Sequence, residues 1–96
     1  MTREEVIHIL SEHQAELSAM GVRSLALFGS VARNEAKPGS DVDLLVEFSQ
    51  PVGLFRFITL KQYLEELLGT TVDLGTVRSL KPRLKEGVLR EAIYVA

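Results

Sequence analysis

The 96-residue sequence contains no cysteine, which excludes both a disulfide framework and a thiolate metal site. It also lacks a strong charge of either sign. Because its net charge is only -2, we expect no direct binding to nucleic acid. No apolar run reaches the roughly 18 residues of a membrane span, and the start MTREEV is unlike a signal peptide. These absences predict a cytoplasmic protein with no membrane partner.

The composition is that of an ordinary folded domain. Apolar residues make up 46% of the chain and charged residues 25%, both near the average for globular proteins. A chain of this length buries one core but not two. We therefore expect residues 1–96 to form a single domain.

Hydrophobic periodicity predicts alternating helices and strands. Apolar residues at helical intervals predict a helix over 3–20, with Thr2 and Glu5 as a capping box and Gly21 as its end. Further elements follow in alternation: a strand at 22–28, a short helix at 31–36, a turn at 37–40, a strand at 41–48, a helix at 53–69, a strand at 70–77 and a helix from Pro82. The predicted class is α/β (α+β), a small mixed sheet with flanking helices in the order α-β-α-β-α-β-α.

Gly29 and Ser30 follow the first predicted strand directly. A glycine at a strand end with a serine opening a helix presents backbone N–H groups and a hydroxyl where a phosphate can bind. The same two residues also suit a plain strand-to-helix junction in which the serine only caps the helix. Alone, this pair leaves both interpretations open.

Asp41 and Asp43 lie two residues apart on the predicted strand at 41–48, so their side chains share one face. Two carboxylates about 5 Å apart repel each other by roughly 3 kcal/mol at an effective dielectric of about 20. One or two magnesium ions would relieve this repulsion, because magnesium prefers oxygen ligands. The alternative is an edge strand on which both carboxylates face solvent.

Asp73 lies on the polar face of the predicted strand at 70–77. If the three strands form one sheet, its carboxylate can share a face with Asp41 and Asp43. An aspartate within an apolar strand is costly unless it is paired. The alternative partner is a nearby cation such as Arg78.

The whole pattern resembles the nucleotidyltransferase superfamily typified by DNA polymerase beta. More closely, the stretch GSVARNEAKPGSDVDLLVEF looks like the minimal nucleotidyltransferases, the MntA-like partners of HEPN-domain proteins. The resemblance implies that Gly29 and Ser30 hold a nucleotide's triphosphate. It also implies that Asp41 and Asp43 bind magnesium and that Asp73 completes the catalytic and metal site.

Two neighbouring residues need separate comment. Arg33 is a candidate phosphate contact through its planar donor fork, or else an exposed arginine on a short helix. Asn34 stands where many relatives carry glycine. Because asparagine tolerates a left-handed backbone, we expect the turn to survive.

The resemblance implies a magnesium-dependent transfer of NMP, most plausibly AMP from ATP, to a hydroxyl acceptor. The acceptor it suggests is a tyrosine of a HEPN-type toxin, so that the protein acts as an antitoxin, and a two-metal scheme implies two Mg²⁺ ions. The alternative is a non-catalytic binding module that neutralises its partner by occlusion. The stretch PVGLFRFITL has apolar residues in more than one direction, so part of it faces either a partner, a second copy in a homo-oligomer, or the protein's own core.

Overall fold

The computed structural model describes residues 1–37 and 39–95. Pro38, which belongs to the predicted turn at 37–40, lies outside the described residues. The helices and strands are α1 (Arg3–Glu12), α2 (Gln14–Ala19), β1 (Val22–Phe28), α3 (Gly29–Ala32), β2 (Val42–Phe48), α4 (Leu54–Leu68), β3 (Val72–Thr76), α5 (Pro82–Glu91) and β4 (Ile93–Tyr94). A 3₁₀ turn at Val77–Ser79 separates β3 from α5. The predicted alternation of helices and strands is confirmed, and the structure adds a separate helix α2 near the start and strand β4 near the end.

The strands form one mixed sheet in the order β3-β2-β1-β4. β1 lies in the middle and pairs antiparallel with both β2 and β4, whereas β2 pairs parallel with β3. The parallel pair requires a crossover, which α4 provides. This confirms the predicted mixed sheet with flanking helices.

One side of the sheet, the first face, packs on helices and forms the main core. Every second residue of each strand points to this face, as expected when one face is buried. The strand residues buried there are Leu25, Leu27, Val42, Leu44, Val46, Val72 and Leu74. The helices contribute Val6 and Leu10 from α1, Leu17 from α2, and Leu60, Leu64 and Leu68 from α4. The first face therefore accounts for most of the buried apolar surface.

The other side, the second face, carries the alternate strand residues Ala26, Asp43, Leu45, Asp73 and Gly75. Ala26 and Leu45 are buried but do not belong to the main core. Strands β3 and β4 are parallel, and the connection between them passes over β2 and β1. It therefore runs across the sheet in the direction opposite to the connection from β2 to β3. Right-handed crossovers in opposite directions put their helices on opposite faces, which assigns α5 to the second face.

The predicted single helix over 3–20 is wrong, because His13 divides it into α1 and α2. The ring Nδ1 of His13 lies 2.7 Å from the carbonyl oxygen of Ile9. The backbone N–H of His13 donates to the carbonyl oxygen of Leu10. With φ at -114°, His13 leaves the helical conformation. The start of the helix is as predicted, since Thr2 and Glu5 form the capping box.

The short helix predicted at 31–36 is displaced, because α3 spans Gly29–Ala32 instead. Asn34 adopts a left-handed backbone with φ at 57°, which ends the helical turn. This conformation confirms the expectation for Asn34. Gly69 ends α4 in the same region of backbone space, at φ 67°. Among the described residues, no helix is both long and apolar enough to cross a membrane.

Candidate active site

The candidate residues meet at one end of the second face. In the sheet register, Phe28 at the end of β1 pairs with Asp43, and Asp43 pairs with Asp73 on the far side. Asp41 stands immediately before β2. The end of β1 and the starts of β2 and β3 therefore share one edge, as the sequence predicted for a single sheet.

The three carboxylates differ in exposure. Asp43 is half-buried, whereas Asp41 and Asp73 are exposed. Burial raises the pKa of Asp43, and the negative charges of Asp73 and Asp41 raise it further. The ionised form of Asp43 is therefore disfavoured, and a cation bound beside it would stabilise that form.

Gly29 approaches Asp43 more closely than any other residue type would permit. Its φ is 76°, and a Cβ built on it would lie 2.2 Å from Oδ2 of Asp43. A side chain at this position would therefore combine backbone strain with a collision. Sequence reasoning considered this glycine for phosphate binding or for a plain strand-to-helix junction and missed its close approach to Asp43, which depends on the pairing of Phe28 with Asp43.

Ser30 is the second residue of α3 and follows Gly29 directly, so it lies at the same edge of the sheet. Its carbonyl oxygen accepts a hydrogen bond of 2.8 Å from the N–H of Glu35. Arg3 donates to the carbonyl oxygen of Ala32 at 3.3 Å, so α1 contacts the end of the same turn. The turn is therefore closed by a local hydrogen bond and is held at its end by α1.

Arg33 follows α3, and its guanidinium binds two carboxylates. Nε donates to Glu35 at 3.2 Å and Nη1 donates to Glu91 at 3.1 Å. These hydrogen bonds raise the pKa of Arg33, and its positive charge in turn lowers the pKa of Asp43. Arg33 therefore acts electrostatically on the carboxylate site, although its side chain is 43% exposed.

A family model for the nucleotidyltransferase domain matches residues 5–95. The chain belongs to the nucleotidyltransferase family. Protein adenylyltransferase MntA of Thermococcus cleftensis is 49% identical over 96 residues, covering 99% of this chain and 97% of that protein. The resemblance to minimal nucleotidyltransferases is confirmed.

Solved structures agree with this assignment. A chain described as a minimal nucleotidyltransferase has a TM-score of 0.84 and 43% identity, with 97% of this chain and 95% of that chain covered. The fold is also similar to that of a chain in the structure of the tri-AMPylated HEPN toxin of Shewanella oneidensis in complex with MNT antitoxin. That match has a TM-score of 0.66 and 20% identity, over 94% of this chain and 71% of that one.

The candidate site offers carboxylate oxygens, which are ligands that magnesium prefers. Asp43 and Asp73 lie side by side on adjacent strands, and the charge of Asp41 also acts on Asp43. In residues 1–37 and 39–95, however, no group of three or more His, Asp or Glu side chains is gathered tightly enough to hold a metal ion. Within the same residues, Asp73 forms no ion pair with Arg78, the alternative partner considered from the sequence.

Two surface cavities, of about 340 and 490 Å³, share Gly53 and Arg56. The smaller one is lined by Gly21 before β1 and Ser49 after β2, so it lies at the end of the sheet opposite to the carboxylates. Near it, the side chains of Leu54 and Phe55 are 71% and 88% exposed. Part of the stretch PVGLFRFITL thus faces solvent, while Leu60 at its end is buried in the core.

Proposed function

We propose that this nucleotidyltransferase transfers AMP from ATP to a tyrosine hydroxyl of a HEPN-type toxin, in a magnesium-dependent reaction in the cytoplasm. The observation that carries the proposal is the pairing of Asp43 with Asp73 beside the close turn at Gly29. The name of the Thermococcus relative and the AMPylated toxin bound to the Shewanella antitoxin support the acceptor class. On this proposal, residues 1–96 act as one catalytic domain and as an antitoxin.

The nucleotide's phosphates would bind at the turn that follows β1. We assign their contacts to the backbone N–H groups of Gly29 and Ser30, to the hydroxyl of Ser30 and to the guanidinium of Arg33. Backbone N–H groups and a fixed positive charge stabilise the developing charge of a transferring phosphoryl group without reorganisation. Arg33 suits this role because it is always charged and presents several donors in one plane.

Asp41, Asp43 and Asp73 would hold Mg²⁺, as one or two ions. Bound there, magnesium would neutralise negative charge on the phosphates and on the attacking and leaving oxygens. Burial raises the pKa of Asp43, and repulsion by Asp73 and Asp41 raises it further. A divalent cation would relieve that repulsion, which supports this assignment.

In the proposed step, the tyrosine oxygen forms a new bond to the α-phosphorus of ATP. The bond between that phosphorus and the oxygen leading to the β-phosphate breaks, and pyrophosphate leaves with the electron pair. We assign acceptance of the tyrosine proton to Asp73, which is exposed at the edge of the site and therefore reachable by an incoming acceptor. The product is an AMP group in phosphodiester linkage to the partner.

The test is to incubate the protein with a purified HEPN-type toxin, ATP and MgCl₂, and to measure intact masses. Whole AMP additions are expected, and peptide mapping should locate them on a tyrosine. Asp43→Asn and excess EDTA should each abolish the addition. Glu47→Gln is the matched control, because Glu47 lies on β2 and pairs at the surface with Arg23 at 3.4 Å.

An occluding module predicts a different result. The partner would gain no mass with any nucleoside triphosphate, and a double variant Asp41→Ala, Asp43→Ala would neutralise the toxin as well as the wild type. That combination would refute the proposed catalytic function. Addition of GMP, CMP or UMP in place of AMP would refute the nucleotide assignment alone.

A further inference from the structure

Arg33 lies between two acidic side chains that come from very different parts of the sequence. Glu35 is two residues away in the same turn, whereas Glu91 is 58 residues away at the end of α5. The two carboxylates bind different nitrogens of one guanidinium, Nε and Nη1. Two anchors on separate donors fix both the position and the plane of the group.

Glu91 is held at this place by backbone pairing. It stands two residues before Ile93, which pairs with Leu27 in β1. The N–H of Val95 donates to the carbonyl oxygen of Leu25 at 2.8 Å and extends the same contact. The end of α5 is therefore fixed beside the turn that follows β1.

The contact is poorly explained as a stabilising surface ion pair. Both side chains are about half exposed, at 43% for Arg33 and 52% for Glu91, and ion pairs of this kind contribute little to folding. Arg33 nevertheless follows directly on α3, whose first residue, Gly29, lies against the side chain of Asp43. Among the described residues, no hydrogen bond occupies Nη2, which leaves this donor available to a ligand.

We propose that Glu91 is a positioning residue, which holds the guanidinium of Arg33 so that its remaining N–H donors meet the phosphates of the nucleotide. This inference rests on the proposed function, in which Arg33 contacts those phosphates. Glu35 supplies the second anchor from within the turn. The C-terminal end of α5 is thereby part of the nucleotide site, although it carries none of the family's motif.

The test measures ATP affinity with Mg²⁺ by calorimetry, and KM for ATP and kcat for AMP transfer, in wild type and variants. Glu91→Ala should raise Kd and KM about three- to five-fold and change kcat less than about two-fold, since binding rather than chemistry is affected. Glu91→Gln keeps an acceptor oxygen and should recover most of the loss. Glu86→Ala is the matched control, because Glu86 lies on the same helix and pairs only at the surface with Arg90 at 2.8 Å.

A double-mutant cycle separates positioning from a direct role of Glu91. Adding Glu91→Ala to Arg33→Ala should cause no further loss of ATP affinity, because Glu91 acts through Arg33. Thermal melts of all variants should agree within a few degrees. Unchanged ATP affinity in Glu91→Ala would overturn the inference, as would tighter binding, which would mean that Glu91 competes with phosphate for Arg33.

The outcome also distinguishes this inference from the proposed function. If the wild type binds ATP with magnesium and Arg33→Ala weakens the binding while Glu91→Ala does not, only the role of Glu91 is refuted. If the wild type shows no magnesium-dependent ATP binding, the proposed function fails and this inference fails with it.

Discussion

The two faces of the sheet differ in role: the first face carries the buried core residues, and the second face carries the candidate site. In β2, Leu44 is fully buried in the main core on the first face, while Asp43 stands half-buried on the second face. In β3, Val72 and Asp73 repeat the arrangement. Because strand side chains alternate, one strand can stabilise the fold and supply a site within two consecutive residues. Mutations on the two faces should therefore have separable effects.

The second face is not polar throughout. Its middle, at Ala26 and Leu45, is as buried as the core, and only its end carries carboxylates. The charged end is thus supported by apolar packing directly beside it. This arrangement fixes Asp43 in place although its charge is unfavourable there.

The largest effect is expected on the chemistry of the second face. On the proposed function, Asp73 is a metal ligand, and such a ligand contributes several kcal/mol to the transition state, so Asp73→Asn should lower the rate of AMP transfer roughly 100- to 1,000-fold. The melting temperature should not fall, since Asp73 is exposed. Transfer rates under single-turnover conditions, together with a thermal melt, check both parts. A lower melting temperature together with lost activity would contradict the separation of the two faces.

The next largest effect is expected on the stability of the first face. Leu44→Ala should cost about 2–5 kcal/mol, because it leaves a cavity in the main core. Phe55→Ala is the control and should change stability by less than about 0.5 kcal/mol, since Phe55 is 88% exposed. Urea denaturation measures both. Folded Leu44→Ala protein should still transfer AMP, and inactivity of the folded fraction would contradict the separation.

Gly29→Ala tests how tightly the turn approaches the second face. Both Gly29 and Gly69 have positive φ, and alanine in that conformation costs about 1–2 kcal/mol. Gly69 has no atom within 4 Å of the added Cβ, whereas Gly29 has Oδ2 of Asp43 at 2.2 Å. Gly29→Ala should therefore destabilise more than Gly69→Ala and should alone weaken magnesium-dependent ATP binding. Equal effects of the two substitutions on stability and binding would show that the close approach is unimportant.

The smallest effect is a gain of stability from Asp43→Asn in metal-free buffer. The pKa of Asp43 is raised above its ordinary value of 3.8, so the folded state holds this proton more tightly than the unfolded state. As pH rises between the two values, the unfolded state loses its proton first, and the wild type loses stability. The variant avoids this loss. Its advantage in urea denaturation should be absent well below pH 3.8 and should grow as the pH rises above that value. A constant difference across pH would exclude the charge as its cause.

Much of the fold was predictable because its signals are local. β1 spans the residues predicted for it, and α4 (Leu54–Leu68) lies within the helix predicted at 53–69 and ends at Gly69. The alternation of Asp43 with Leu44 correctly predicted two faces. The break at His13 was missed because the helical periodicity continues across it.

What the sequence did not reveal depends on contacts between distant residues. The strand β4 has only two residues, which is too short to give a periodic pattern. Its pairing with β1, a strand far away in the sequence, is visible only in the sheet. The contact of Glu91 with Arg33 depends on that pairing. The close approach of Gly29 to Asp43 likewise depends on the register of β1 and β2, which periodicity alone does not determine.

Strand β4 also has a consequence for folding and solubility. It covers the edge of β1 that β2 leaves open. While β4 is detached, β1 presents unpaired N–H and C=O groups along a run of apolar residues, which is a template for pairing with another chain. Contacts between distant residues also form slowly during folding. The short strand that fixes Glu91 beside the Gly29–Arg33 turn therefore also covers this edge of β1 against pairing with another copy.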